Sequence, residues 1–299
     1  MTSLVRLRLD ISYDGSDFAG WARQPEQRTV QGVVEDALAR IMRLDPPPVL
    51  TVAGRTDAGV HATGQVAHVV VPYPNYQAIS GAMTRRLAAV LPPDVRVTGV
   101  TIAPDGFDAR FSALRRRYEY RVSDEPTGLP PLDRHDTVWH PRPLNVDRMN
   151  AAAALLVGEH DFAAYCRRRE GATTIRRLLR YEWERRGERL AVATVEADAF
   201  CHSMVRALVG ALLSVGDGRK PVEWPYEVLV AGVRDSAVKV APAHGLALVE
   251  IVYPENAKLA ARAQETRRVR TLAAPTPPAP QPGAVEPPAQ SEPAEHVIR

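Results

Sequence analysis

A chain of 299 residues, 45% hydrophobic and 24% charged, holds enough apolar material for one large domain or two smaller ones. No apolar run of ~18 residues offers a membrane span, and Met1 to Asp10 alternates charge with apolar residues where a signal peptide carries an apolar block, so secretion is not expected. The net charge of +3 is a small remainder of 38 basic and 35 acidic residues and names no partner; all but Lys220, Lys239 and Lys258 of the basic residues are arginine.

Val5, Leu7, Leu9, Ile11 and Tyr13 alternate with polar residues, which predicts a strand with one buried face. Asp14-Gly15 supplies a turn. Thr29 is placed to cap a helix whose apolar stripe runs Val30, Val33, Val34, Ala37, Leu38, Ile41 and Met42. Short strands follow at Val49–Ala53 and Gln65–Val71, then a helix from Ile79 to Val90 and strands at Val95–Ile102 and Arg117–Val122. Asn145 is expected to cap a helix running to Val157. Arg180–Glu184 and Leu190–Ala197 read as paired strands around Arg186-Gly187. Helices over Cys201–Val215 and Tyr226–Val233 and a strand over Leu246–Tyr253 complete the pattern.

Helices mixed with mostly antiparallel strands predict an α+β fold. The expected architecture is two similar halves, 1–105 and 106–254, with antiparallel sheets flanked by helices around a central basic cleft. Residues 255–299 form a basic, proline-rich tail that carries too little apolar surface to offset chain entropy, apart from a frayed helix near 257–270. Cys166 and Cys201 read as reduced thiols of a cytoplasmic protein rather than a disulfide framework. Neither CxxC nor HExxH spacing occurs, so no zinc site is expected.

The strongest chemical candidate is Gly54-Arg55-Thr56-Asp57-Ala58-Gly59-Val60-His61-Ala62, a loop between two strands. Two glycines bracket a carboxylate and permit close approach of another molecule, and Arg55 stands ready for a phosphate. The competing reading makes Asp57 an ordinary turn cap. Phosphate-loop, dinucleotide and nucleophile-elbow patterns are missing, and Gly216-Asp217-Gly218-Arg219-Lys220 follows a helix, as a helix-terminating turn would.

The run GRTDAGVHA resembles the signature of the TruA family of transfer RNA pseudouridine synthases. The likeness extends, in order, to Tyr13-Asp14-Gly15-Ser16 with Phe18, Gly20, Trp21 and Gln24, and then to Gln31. It continues through Phe107-Asp108-Ala109-Arg110-Phe111-Ser112-Ala113 and Arg117-Tyr118-Glu119-Tyr120. Ala199-Phe200-Cys201-His202-Ser203-Met204-Val205-Arg206 resembles the family's AFxHxMVR helix, and Ala241-Pro242-Ala243-His244-Gly245-Leu246 its closing segment. Asp108 in place of the family's usual histidine, Ala22-Arg23-Gln24, and the lack of asparagines before Leu91-Pro92 are departures that bear on RNA docking.

The resemblance implies an isomerase that converts uridine to pseudouridine at positions 38, 39 and 40 of the tRNA anticodon stem-loop, without cofactor or metal, in the cytoplasm and as a homodimer. It implies Asp57 as the catalytic residue, Arg206 as the cation that keeps it ionised, and Tyr118 against the flipped uracil. Leu246 would line the pocket, and Arg55 and His202 would make backbone or loop contacts. Arginine runs at 115–117, 167–169 and 176–177 are candidates for phosphate. A non-catalytic RNA-binding protein on the same scaffold and a nucleosidase using Asp57 are the alternatives.

Overall fold

Alternation from Leu4 to Tyr13 has the consequence expected of a pleated strand. In β1 (Leu4–Tyr13), Leu7, Leu9, Ile11 and Tyr13 are buried, while Arg6, Arg8, Asp10 and Ser12 are more exposed. The structure, a computed structural model, describes residues 3–167 and 173–267. Thr29 caps α1 (Val30–Met42) by accepting the Gly32 N–H, and Val30, Val34, Leu38 and Met42 lie on the buried face. β2 is only Thr51–Val52, because just those residues meet β3 (His61–Pro72), which begins earlier than its apolar run indicates. A short α2 (Tyr73–Gln77) and a 3-10 turn at Ser80–Ala82 precede α3 (Met83–Val90), so the helix expected from Ile79 is broken at its start.

β4 (Val95–Ile102) falls where its spacing predicts, and β5 spans Arg115–Ser123. After β6 (Val138–Trp139), Asn145 caps α4 (Val146–Ala154) by accepting the Arg148 N–H. That helix stops short of Val157 because the chain turns there into β7 (Gly158–Asp161). β8 (Ile175–Arg186) and β9 (Leu190–Ala197) pair as a hairpin across Gly187, whose φ of 74° suits glycine. α5 (Met204–Gly216), α6 (Trp224–Ala231), β10 (Leu246–Val252) and α7 (Leu259–Thr266) follow. α7 buries Leu259 and Ala263, and the Leu259 carbonyl accepts the Ser112 hydroxyl. The part of the expected 255–299 tail beyond residue 267, and Arg168 and Arg169 of the arginine runs, lie outside the described residues.

The strands form one sheet in the order β4-β1-β3-β10-β5-β9-β8-β7, with β2 added to β3 and β6 to β5. Pairing is mostly antiparallel with flanking helices, an α+β fold. α3 packs on β4 and α1, and α4 on β8 and α5. The decisive strand is β10. It runs parallel to β3 and antiparallel to β5, so the late residue Leu248 stands opposite both Ala62 and Tyr118, and Tyr118 in turn opposite Val195. This row ties the end of the Asp57 loop to the tyrosine strand. Among the described residues, no helix is long and apolar enough to cross a membrane.

Cys166 and Cys201 are brought side by side, with Cα atoms 5.7 Å apart across a separation of 35 residues. The turn ending at Cys166 lies along the segment leading into α5, where Arg167 N–H donates to the His202 carbonyl at 3.1 Å. Nothing in the spacing of two distant cysteines signals that adjacency.

Candidate active site

The Asp57 loop is held from below by a buried polar chain. Gln65, fully buried on β3, donates both amide hydrogens, to the Gly54 carbonyl at 2.8 Å and to the Tyr13 hydroxyl at 3.2 Å. Burial pushes the Tyr13 phenol up to about 12, so it stays protonated, and its hydroxyl shares a hydrogen bond with Thr56 Oγ1 at 2.7 Å. Backbone contacts finish the brace. Trp21 N–H donates to the Thr56 carbonyl at 3.1 Å, and Val60 N–H to the Asp57 carbonyl at 3.2 Å. The neighbouring loop comes so near that a Cβ on Gly15 would lie 2.0 Å from the Val60 carbonyl oxygen, so only glycine fits there.

His61 joins three segments around the loop. Its Nδ1 accepts the Gly15 N–H at 3.0 Å, which leaves the ring proton on Nε2 to be donated to the His244 carbonyl at 2.9 Å. The Asp14 carboxylate lies 3.1 Å from the same Nδ1.

The Asp57 carboxylate, 27% exposed, faces the first turn of α5. Ser203 Oγ donates to Oδ2 at 3.1 Å, the Arg206 guanidinium lies 3.6 Å from the same oxygen, and His202 Nε2 is 3.4 Å from Oδ1. Arg206 is itself aimed by donation from Nε to the Ala241 carbonyl at 2.7 Å. A carboxylate here meets a fixed cation, a hydroxyl donor and the positive end of a helix.

Tyr118 is buried beside this group, its ring edge-on to Phe200 with centroids 5.1 Å apart. Burial above all, with the Asp57 carboxylate adding to it, pushes its phenol well above the ordinary range, so the hydroxyl stays neutral. Leu246 is buried at the start of β10, in register with Tyr120 and two residues from Leu248, which faces Tyr118 across the pair. The structure therefore brings Asp57, Arg206 and His202 into contact and lays Tyr118 and Leu246 in adjoining strands. Arg55 is exposed on the loop, apart from that cluster.

The arginine run at 115–117 divides by strand alternation. Arg116 shares the buried face with Tyr118 and Tyr120, and its guanidinium donates to the carbonyls of Asp198, Ala53 (2.9 Å) and Arg110 (2.8 Å). It braces the starts of the two segments that carry Asp57 and Ser203 and is not free for phosphate. Arg115 and Arg117 pair with Glu196 and Glu250 at 3.3 and 3.4 Å. Asp108, the departure noted above, accepts the N–H groups of Arg110 and Phe111 and pairs with Arg267 at 3.1 Å, so its charge stabilises a turn. Sequence reasoning missed Ser203, Arg116 and the Gln65–Tyr13–Thr56 chain. Tyr13, Thr56 and Ser203 lay inside quoted motifs and Arg116 inside an arginine run, but nothing local gave them these roles, and Gln65 carried no signal beyond its strand.

Known proteins resemble this chain over most of its length. A family model described as tRNA pseudouridine synthase matches residues 152–254. The chain is 66% identical over 274 residues to tRNA pseudouridine synthase A of Frankia casuarinae, covering 92% of this chain and 98% of that one. The counterpart from Streptomyces griseus is 60% identical over 269 residues, covering 90% and 95%, and that from Mycobacterium leprae 51% over 282 residues, covering 89% and 96%. The chain belongs to the tRNA pseudouridine synthase A family.

Proposed function

We propose that this protein isomerises uridine to pseudouridine at positions 38, 39 and 40 of tRNA, with Asp57 as the catalytic residue. The C1′–N1 glycosidic bond breaks, a C1′–C5 bond forms, and the C5 proton is exchanged for one on N1, so the reaction is redox-neutral. The aspartate acts on the ribose, at C1′ as nucleophile or at C2′ as base, and both roles need it ionised. The observation that carries the reading is the Asp57 carboxylate set between Arg206 and Ser203 at the start of α5.

A uridine reaches Asp57 only after leaving its stack. Tyr118 and Leu246 offer the apolar surface for the freed base, and stacking on an aromatic ring contributes ~1–3 kcal/mol. Because burial keeps the Tyr118 phenol neutral, stacking is its direct contribution. Arg55, exposed on the Asp57 loop, suits a phosphate. The same reading makes the enzyme a cytoplasmic homodimer.

Asp57→Asn should abolish pseudouridine formation in a tRNA transcript while leaving tRNA binding largely intact. Full activity in that variant refutes the assignment. Nucleoside analysis of the product separates isomerisation from release of free uracil.

A further inference from the structure

Serine is among the best helix N-caps, yet Ser203, at the N-cap of the 13-residue α5, makes no capping bond. Its backbone stands at φ 62°, ψ 9°, in the left-handed region that residues other than glycine and asparagine seldom enter. Among the described residues only Glu26 and Arg43 share a positive φ without being glycine. Arg43 ends α1, where such a conformation is common. Glu26 is exposed in a loop. Ser203 has neither excuse. What its conformation achieves is a 3.1 Å bond from its hydroxyl to Asp57 Oδ2, the shortest of the three polar side-chain contacts around that carboxylate.

The other two donors are less committed. Arg206 spends Nε on the Ala241 carbonyl and keeps 3.6 Å from Asp57, while His202 is exposed and 3.4 Å away. We infer that Ser203 is a positioning residue for the reaction: it gives up helix capping to fix Asp57 Oδ2, which presents Oδ1 to the ribose. The motif quoted from the sequence leaves this position open, so the role comes from geometry. The inference rests on Asp57 acting at the ribose. Strained backbone retained at a reacting group is a recognised form of preorganisation.

Three variants of the full chain test it, with steady-state kinetics on a tRNA transcript and thermal melts. Ser203→Gly removes the hydroxyl and relieves the left-handed backbone. Its melting temperature should match or exceed wild type, while kcat falls on the order of tenfold, the worth of one hydrogen bond to a charged group, and KM for tRNA stays unchanged. A merely structural serine would not separate stability from turnover in this way. Ser203→Asn accepts the same φ and offers an amide donor, so it should recover most of the rate. Ser203→Asp, acceptor-only beside a second carboxylate, should be the slowest. Wild-type kcat in Ser203→Gly, or Ser203→Asn as slow as Ser203→Gly, overturns the inference. Asp57→Asn is assayed alongside. If it is inactive while Ser203→Gly is unimpaired, the positioning role alone fails; if it still forms pseudouridine, the catalytic reading fails and this inference with it.

Discussion

Replacing Arg116 with methionine removes a guanidinium but keeps most of its apolar stem. The side chain is 7% exposed and donates to three main-chain carbonyls, those of Ala53, Arg110 and Asp198. A net contribution of about 1–1.5 kcal/mol per hydrogen bond puts the expected loss at roughly 3–5 kcal/mol. For a chain of this size that corresponds to a melting temperature lower by about 10 °C. Burial already holds the guanidinium below its ordinary range, so part of its desolvation cost is recovered on removal, which favours the lower end. Two of the carbonyls lie just before the Asp57 loop and the segment reaching Ser203, so kcat should fall as well. Arg116→Lys should not rescue, because one ammonium cannot span three acceptors that a planar fork serves at once. Thermal melts by circular dichroism and pseudouridine formation at a temperature where both variants are folded provide the measurement. A loss below ~1 kcal/mol, or full restoration by lysine, would show that the three carbonyls are satisfied some other way.

Two further outcomes are expected. Gln65→Leu strips the support from Gly54 and Tyr13; stability should drop by about 1–3 kcal/mol and kcat should fall with KM unchanged, and an unaltered kcat would show that the loop needs no such brace. His68, His140 and His244 are each held below the ordinary histidine value of 6.5, in every case by burial first. The unfolded chain therefore binds more protons than the fold just below that value. Stability from these three is complete above about pH 6.5 and is lost as pH falls through it toward the lower folded values. Melts from about pH 8 to pH 5 should show the decline, and His68→Gln, which removes the Nδ1 acceptor of the Ala109 N–H, should flatten part of it. A level profile across that range would mean the rings protonate freely in the fold.

Some elements were legible because their information is local. β1 follows from alternation over ten residues, α1 from Thr29 and its apolar stripe, β4 from its spacing, and the start of α4 from Asn145. Where boundaries differed, a partner decided them. β2 shrank to the two residues that meet β3, and α4 ended early because the chain turns into β7 to pair with β8. The arginine run at 115–117 gave the plainest correction. Similar residues in sequence take opposite faces of a strand, and only the fold reveals that the buried face carries Arg116.

The sequence by itself determined the order of the main elements, the α+β class and the aspartate worth testing, since glycines beside Asp57 and the motif blocks are written along the chain. Tertiary structure alone decided how that aspartate is surrounded. Insertion of β10 between β3 and β5 aligns Ala62, Leu248 and Tyr118. The Ser203–Asp57 bond closes across 146 residues, and Arg116 reaches Ala53 across 63. Periodicity and capping act within a few turns of chain. Contacts over such separations arise from packing, which imposes no repeat on the residues it brings together.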